Sequence, residues 1–88
     1  MGYKIYYTEN ALKNLRKIDR HQANIIISWI DKNLVGCDDP RKHGKPLKHS
    51  TEGSWRYRVG DYRIISIIRD RLGIIEIIGI GHRREIYE

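Results

Sequence analysis

The sequence predicts an α+β domain: an N-terminal strand, a two-helix hairpin, then a three-stranded antiparallel meander, with the helices packed on one face of the sheet. Three observations carry this. First, residues 54–65 alternate in character. Trp55, Tyr57 and Val59 point one way and Arg56 and Arg58 the other, and Gly60-Asp61 forms a two-residue loop with glycine first, the choice a type II′ hairpin turn needs. Second, apolar residues recur at helical spacing twice upstream, at Ala11, Leu12, Leu15 and Ile18 and at Ala23, Ile26, Ile27, Ile30 and Leu34. Third, 88 residues make one domain, 1–88, whose single core needs most of the apolar residues available.

Taken in order, Tyr3–Tyr7 is aromatic and partly alternating, and reads as the first strand. Thr8 is a suitable N-cap, with Glu9 in the first turn of the helix where a carboxylate is favoured. Asp19 can cap a second helix and Gly36 can stop it. Residues 37–53 are polar and basic, punctuated by Pro40, Gly44, Pro46 and Gly53, and read as loop anchored by Leu47. Strands follow at roughly 54–59, 62–69 and 73–80, the last two joined by a turn at Asp70-Arg71-Leu72-Gly73, and 81–88 is a short polar tail. No repeat, linker or low-complexity segment is present.

The hairpin also predicts a ligand charge. Its register pairs Val59 with Tyr62, Arg58 with Arg63 and Tyr57 with Ile64. Two arginines directly opposite on one face repel, and an anion over the pair relieves that repulsion. The alternation puts Trp55, Tyr57, Val59, Tyr62 and Ile64 under the helices. Arg56, Arg58 and Arg63 share the open face with Ile65 and Ile67. A partner can cover an apolar patch of that kind. The formal charge of +6, from 17 basic and 11 acidic residues, points the same way, toward a polyanion or an acidic partner.

Other classes are disfavoured. Cys37 is the only cysteine, so neither an intramolecular disulfide nor a cysteine metal cluster can form, and a reducing cytoplasm is the expected setting. The N-terminus carries no signal-peptide core and a poor myristoylation pattern, and the stretch Ile74–Ile80 is too short to span a bilayer. His21, His43 and His49 lack metal-ligand spacing, so neither a metal nor another cofactor is expected.

Two motifs together carry a family resemblance: Trp55-Arg-Tyr-Arg-Val-Gly-Asp-Tyr-Arg-Ile64 and Gly81-His-Arg-Arg-Glu-Ile-Tyr87, supported by Ala11-Leu-Lys-Asn-Leu15 and Pro46-Leu-Lys48. Over nearly its whole length the chain resembles the RelE-type toxins of the RelE/ParE toxin–antitoxin superfamily. The resemblance implies a RelE/ParE-like fold and the toxin of a type II toxin–antitoxin system. It further implies a ribosome-dependent endoribonuclease, an mRNA interferase that inhibits translation by cleaving mRNA in the ribosomal A site through 2′-hydroxyl attack on the adjacent phosphate.

The resemblance also assigns roles. Arg63, His82, Arg83 and Tyr87 are the expected catalytic residues. Arg56 and Arg58 fall on the family's phosphate-binding positions. Lys45 and Lys48, with the other loop cations Arg41 and Lys42, are expected to grip RNA backbone, a salt-sensitive role; simple solubility is the competing reading for them. Guanidinium groups are forked, permanently charged donors suited to a phosphate that accumulates negative charge. Some relatives have lysines where Arg56 and Arg58 stand; arginine cannot lose its proton, so proton transfer passes to His82 or Tyr87. The glutamate that another branch carries ahead of its Pro-Leu-Lys motif is absent from Gly44-Lys45-Pro46.

The implied partners are a cognate antitoxin, the ribosome and mRNA, with operator DNA bound only through the antitoxin and no membrane. The antitoxin would offer an acidic or amphipathic segment that covers the arginine face or displaces the tail, with Ile65 and Ile67 as contacts. Two alternatives share the fold: a ParE-like inhibitor of DNA gyrase, and a non-catalytic protein-binding relic.

Overall fold

A computed structural model describes residues 2–47 and 53–82. The elements run β1 (Lys4–Tyr7), α1 (Glu9–Lys17), α2 (Arg20–Asn33), β2 (Lys45–Pro46), β3 (Ser54–Val59), β4 (Tyr62–Arg69), a 3₁₀ turn (Asp70–Leu72) and β5 (Ile74–His82). Five strands form one sheet in the order β1-β5-β4-β3-β2.

The helix starts follow from their caps. The Thr8 hydroxyl accepts from the Ala11 amide, and the Asp19 carboxylate accepts from the His21 and Gln22 amides, meeting N–H groups that a helix leaves orphaned. Ile26 and Ile30 of α2, with its C-cap Leu34, are buried against Tyr57, Val59, Ile64, Ile75, Ile77 and Ile80 of the sheet, and Ala23 of the same helix is also buried. Ala11 carries the first helix into this core, with Leu15 and Ile18 packed at its margin. Leu12, expected on the apolar stripe, is instead exposed.

The predicted hairpin register is the observed one: Val59 with Tyr62, Arg58 with Arg63 and Tyr57 with Ile64. Gly60 turns the chain with a φ of 60°, which glycine adopts without a Cβ penalty.

Three features depart from the expected topology. The sheet is mixed, because β1 pairs β5 in parallel, Ile5 with Ile75 and Tyr7 with Ile77. The stretch 37–53, expected to be loop throughout, contains β2, which pairs β3 with Lys45 opposite Arg56. The last strand continues past residue 80 through Gly81 and His82.

Strand β5 also carries a bulge. Ile65 pairs with Gly79 and Ser66 with Ile77, leaving Ile78 as the extra residue. Ile77 and Ile80, three apart, therefore both enter the core. Beyond the bulge, Gly79 and Gly81 turn to the open face, and Ile80 and His82 to the helix side.

The bulge coincides with a change of neighbour. Strand β1 ends where both the Thr8 amide and its hydroxyl donate to the Ile77 carbonyl. From there α1 runs along the edge of β5. Asn10 Nδ2 donates to the Ile78 carbonyl at 2.9 Å, and Asn14 Oδ1 accepts from the Ile80 amide at 2.9 Å. Side-chain amides thus satisfy a sheet edge that would otherwise stay open.

Candidate functional site

The open face of β3 and β4 gathers the hairpin arginines. Arg58 stands opposite Arg63, and Arg56 lies two residues along the same strand face. Arg58 is exposed, while Arg56 and Arg63 are half-buried. Burial first, then the neighbouring Arg63 and Arg58 charges, pull the Arg56 guanidinium below the ordinary arginine range. Both causes disfavour positive charge, and a bound anion opposes both.

Lys45 extends this row from β2. Gly44, Lys45, Arg56 and Arg58 line a cavity of about 220 Å³. Gly44 has a φ of 78°, and a Cβ on it would fall on the Arg56 carbonyl oxygen. Only glycine lets the two backbones approach so closely.

The loop that delivers Lys45 is pinned on the opposite side of the sheet. The Tyr57 hydroxyl donates to the Pro40 carbonyl at 2.7 Å, and Trp55 Nε1 donates to the His43 carbonyl at 2.6 Å. Trp29 packs against both the His43 and Tyr57 rings. Arg41 forks onto Asp70 with two 3.0 Å bonds and lies 5.8 Å from the Trp55 ring centre. Burial drives the Tyr57 phenol far above its usual range, so it stays a neutral donor.

The Arg41 hydrogen bonds, then that from Tyr3, hold the Asp70 carboxyl below the usual carboxylate range. Its contribution is present above the ordinary carboxylate pKa and is lost as pH falls through the depressed one. Asp70→Asn should therefore flatten the loss of stability on acidification below about pH 4, measured as thermal midpoint against pH. Because the pair is largely exposed, the effect is small.

His82 is placed differently from the arginines. It pairs with Tyr62 across β4–β5, and residues directly opposite share a face. Its imidazole meets the Tyr62 ring edge-on at 5.6 Å. There it borders a cavity of about 160 Å³ with Asn14, Lys17 and Asp19, on the helix side of the sheet. Arg63 is paired with Gly81 on the other side. The register therefore brings Arg56, Arg58, Arg63 and Lys45 together and sets His82 apart. Arg83, Tyr87 and Lys48 lie outside the described residues. Among the described residues no cluster of His, Cys, Asp and Glu could hold a metal, and no helix is long and apolar enough to cross a membrane.

Sequence reasoning missed a second concavity on the open face. Asn10, Asn14, Ile65, Ile78, Gly79 and Gly81 border a cavity of about 390 Å³ beside Arg63. Its sequence signal is modest: two asparagines four apart on a helix, a spacing that puts both on one side, and two glycines inside a strand.

The sequence matches, over residues 5–87, the family described as ParE toxin of type II toxin-antitoxin system, parDE. Toxin RelE of Mycobacterium tuberculosis is 31% identical over 85 residues, covering 97% of this chain and 86% of that protein. Toxin RelG of the same organism is 28% identical over 87 residues, covering 99% and 98%. Among solved structures, the toxin–antitoxin complex RelBE2 from M. tuberculosis matches with a TM-score of 0.83 at 25% identity, covering 94% of this chain and 93% of that one. A mutant E. coli toxin RelE in the free state has a TM-score of 0.77 at 20% identity, covering 97% and 87%. That last likeness is one of fold.

Proposed function

Since the chain belongs to the family of ParE toxins of type II toxin–antitoxin systems, in its RelE-like part, we propose that it is a ribosome-dependent endoribonuclease that cuts mRNA in the A site. The observation that carries this reading is the row Arg56, Arg58 and Arg63, held face to face across a hairpin with Lys45 beside it. A fold gains nothing from such a like-charge pair by itself. A phosphodiester over it would accept forked hydrogen bonds and neutralise the repulsion.

In the proposed reaction the ribose 2′-oxygen attacks the adjacent phosphorus. The P–O2′ bond forms and the P–O5′ bond breaks, leaving a 2′,3′-cyclic phosphate and a 5′-hydroxyl. One proton leaves the 2′-hydroxyl and one reaches the departing 5′-oxygen. Arg56, Arg58 and Arg63 stabilise the charge on the nonbridging oxygens, with Arg83 joining from the tail. As arginines they cannot serve as the base. For proton transfer, which the resemblance assigns to His82 or Tyr87, we favour Tyr87, since His82 pairs with Tyr62 on the face away from the arginines. His82 then acts through its contact with Tyr62 rather than on the phosphate. The toxin works in the cytoplasm, where its partners are the ribosome, mRNA and a cognate antitoxin. The antitoxin contributes an acidic or amphipathic segment over the arginines, Ile65 and Ile67.

The test is purified protein incubated with programmed ribosomes and defined mRNA, with cleavage ends mapped and gyrase supercoiling assayed in parallel. Cuts confined to the A-site codon support the reading. Absence of cleavage with loss of supercoiling would replace it by the alternative of a ParE-like gyrase inhibitor. His82→Ala should lower single-turnover cleavage by no more than about tenfold, less than loss of a general acid–base residue. A loss of several thousandfold would return His82 to proton transfer.

A further inference from the structure

The cavity between α1 and the open face of β5 has features that neither the core nor the arginine row explains. Asn10 and Asn14 each use one amide atom to seal the β5 edge. Those bonds settle which way each amide points, a question that is otherwise ambiguous. A carbonyl can only accept, so Asn10 must give Ile78 its Nδ2. A backbone amide can only donate, so Asn14 must give Ile80 its Oδ1. What remains is a fixed pair four residues apart on one helix: the Asn10 Oδ1 acceptor and the Asn14 Nδ2 donor. Neither makes a further hydrogen bond among the described residues.

The floor beside this pair carries no side chain, and its two glycines are themselves buried at the bottom of the groove. Gly79 and Gly81 face the open side, flanked by Ile65 and Ile78. Gly79 is not in the left-handed region, and a Cβ there would lie 3.7 Å from both asparagine amides without a clash. Backbone conformation therefore does not require glycine; its absence of side chain leaves the groove open. Gly81 is the direct cross-strand partner of Arg63, one strand spacing away, about 4.8 Å. Arg63 thus stands on the strand next to the glycine floor, and the groove is one strand away from the arginine row.

We propose that this groove is a nucleobase subsite: a base of the RNA strand lies over Gly79 and Gly81 between Ile65 and Ile78, and presents its edge to Asn10 Oδ1 and Asn14 Nδ2. Unstacked bases are recognised in this way, by an apolar or stacking surface and hydrogen bonds to one edge. The proposal rests on the nuclease reading and adds to it a contact that orients one base of the strand. Every base carries a donor beside an acceptor on its Watson–Crick edge, so the wild-type pair holds a base without selecting strongly among the four, and changing the pair to two acceptors should create a preference.

Asn14→Asp tests this with little structural disturbance. The carboxylate keeps an oxygen for the Ile80 amide but replaces the free donor by an acceptor. Two adjacent acceptors match two adjacent donors, an arrangement that guanine alone presents, through N1–H and N2–H. The expected result, from 3′-end mapping on ribosomes carrying every codon, is a shift toward guanine at one codon position by about tenfold. Gly79→Ala should lower cleavage about tenfold while leaving the thermal midpoint unchanged, because the added methyl group narrows the groove without meeting backbone.

A wild-type protein that cuts, with an Asn14→Asp variant that keeps its codon profile, sinks the subsite and leaves the nuclease reading standing. Should Asn14→Asp fail to fold, Gly79→Ala decides: cleavage equal to wild type overturns the proposal. A wild-type protein that cuts no RNA removes the nuclease reading, and the subsite with it.

Discussion

Replacing Arg63 with glutamine should lower single-turnover cleavage on programmed ribosomes by about a hundredfold to a thousandfold, the scale of losing one oriented donor to a charged transition state. The same variant should be at least as stable as the parent. Arg63 stands opposite Arg58 on the sheet face, and neutralising one of two opposed like charges removes a repulsive cross-strand pair. Glutamine keeps the apolar stem that a half-buried arginine packs along the sheet. Opposite signs in activity and stability are the signature of a residue retained for a ligand. Thermal melting beside the cleavage assay checks both. A fall in thermal midpoint together with an unchanged cleavage rate would assign Arg63 to the architecture and leave the proposed site without its centre.

The largest stability effect is expected at Tyr57. Its ring is fully buried between α2 and the sheet, packed against Trp29, and its hydroxyl donates to the Pro40 carbonyl at 2.7 Å. Tyr57→Ala should cost about 3–5 kcal/mol, as truncation of a buried aromatic does. A domain of this size has about 5–15 kcal/mol in all, so the alanine variant sits near the limit of folding. Tyr57→Phe isolates the hydroxyl. Its removal leaves the buried Pro40 carbonyl without that donor, at a cost of about 1–3 kcal/mol. Urea unfolding measures both. The phenylalanine variant should also weaken cleavage modestly, because the same hydroxyl ties down the loop that carries Lys45 to the arginine row. Equal stability of Tyr57→Phe and the parent would mean that the loop is held by Trp55 and Arg41 instead.

Much of this architecture was legible in the chain because the determinants are local. Thr8 and Asp19 cap helices within a few residues of themselves. Gly60-Asp61 sets the hairpin register through a two-residue turn, and strict alternation then places Arg56, Arg58 and Arg63 opposite the aromatic face. Ser66 illustrates the limit of residue type as a guide. It is polar but fully buried, with its hydroxyl donating to the Trp55 carbonyl.

Non-local pairings were less legible. Nothing within Tyr3–Tyr7 states that this strand will lie parallel to β5, some seventy residues on, because that choice depends on which arrangement buries the most apolar surface. The pairing of Lys45-Pro46 with β3 is similar: two residues carry no periodicity, and the pairing depends on a loop anchored by Tyr57 and Trp55. The bulge at Ile78 had the greatest consequence for the site. Unbroken alternation from Ile75 and Ile77 would have turned His82 to the arginine side and Ile80 away from the core. The extra residue reverses both, as a one-residue slip must in a structure of period two.

The sequence by itself determined the two helices, the hairpin with its three-arginine face and the family to which the chain belongs, because caps, turns and alternation act over a few residues. Tertiary structure alone decided the mixed sheet, the placing of Lys45, the sealing of β5 by Asn10 and Asn14, and the face that His82 occupies. Each of these depends on segments distant in the chain competing to satisfy one strand edge and bury one core, and that competition is settled only when the whole chain has packed.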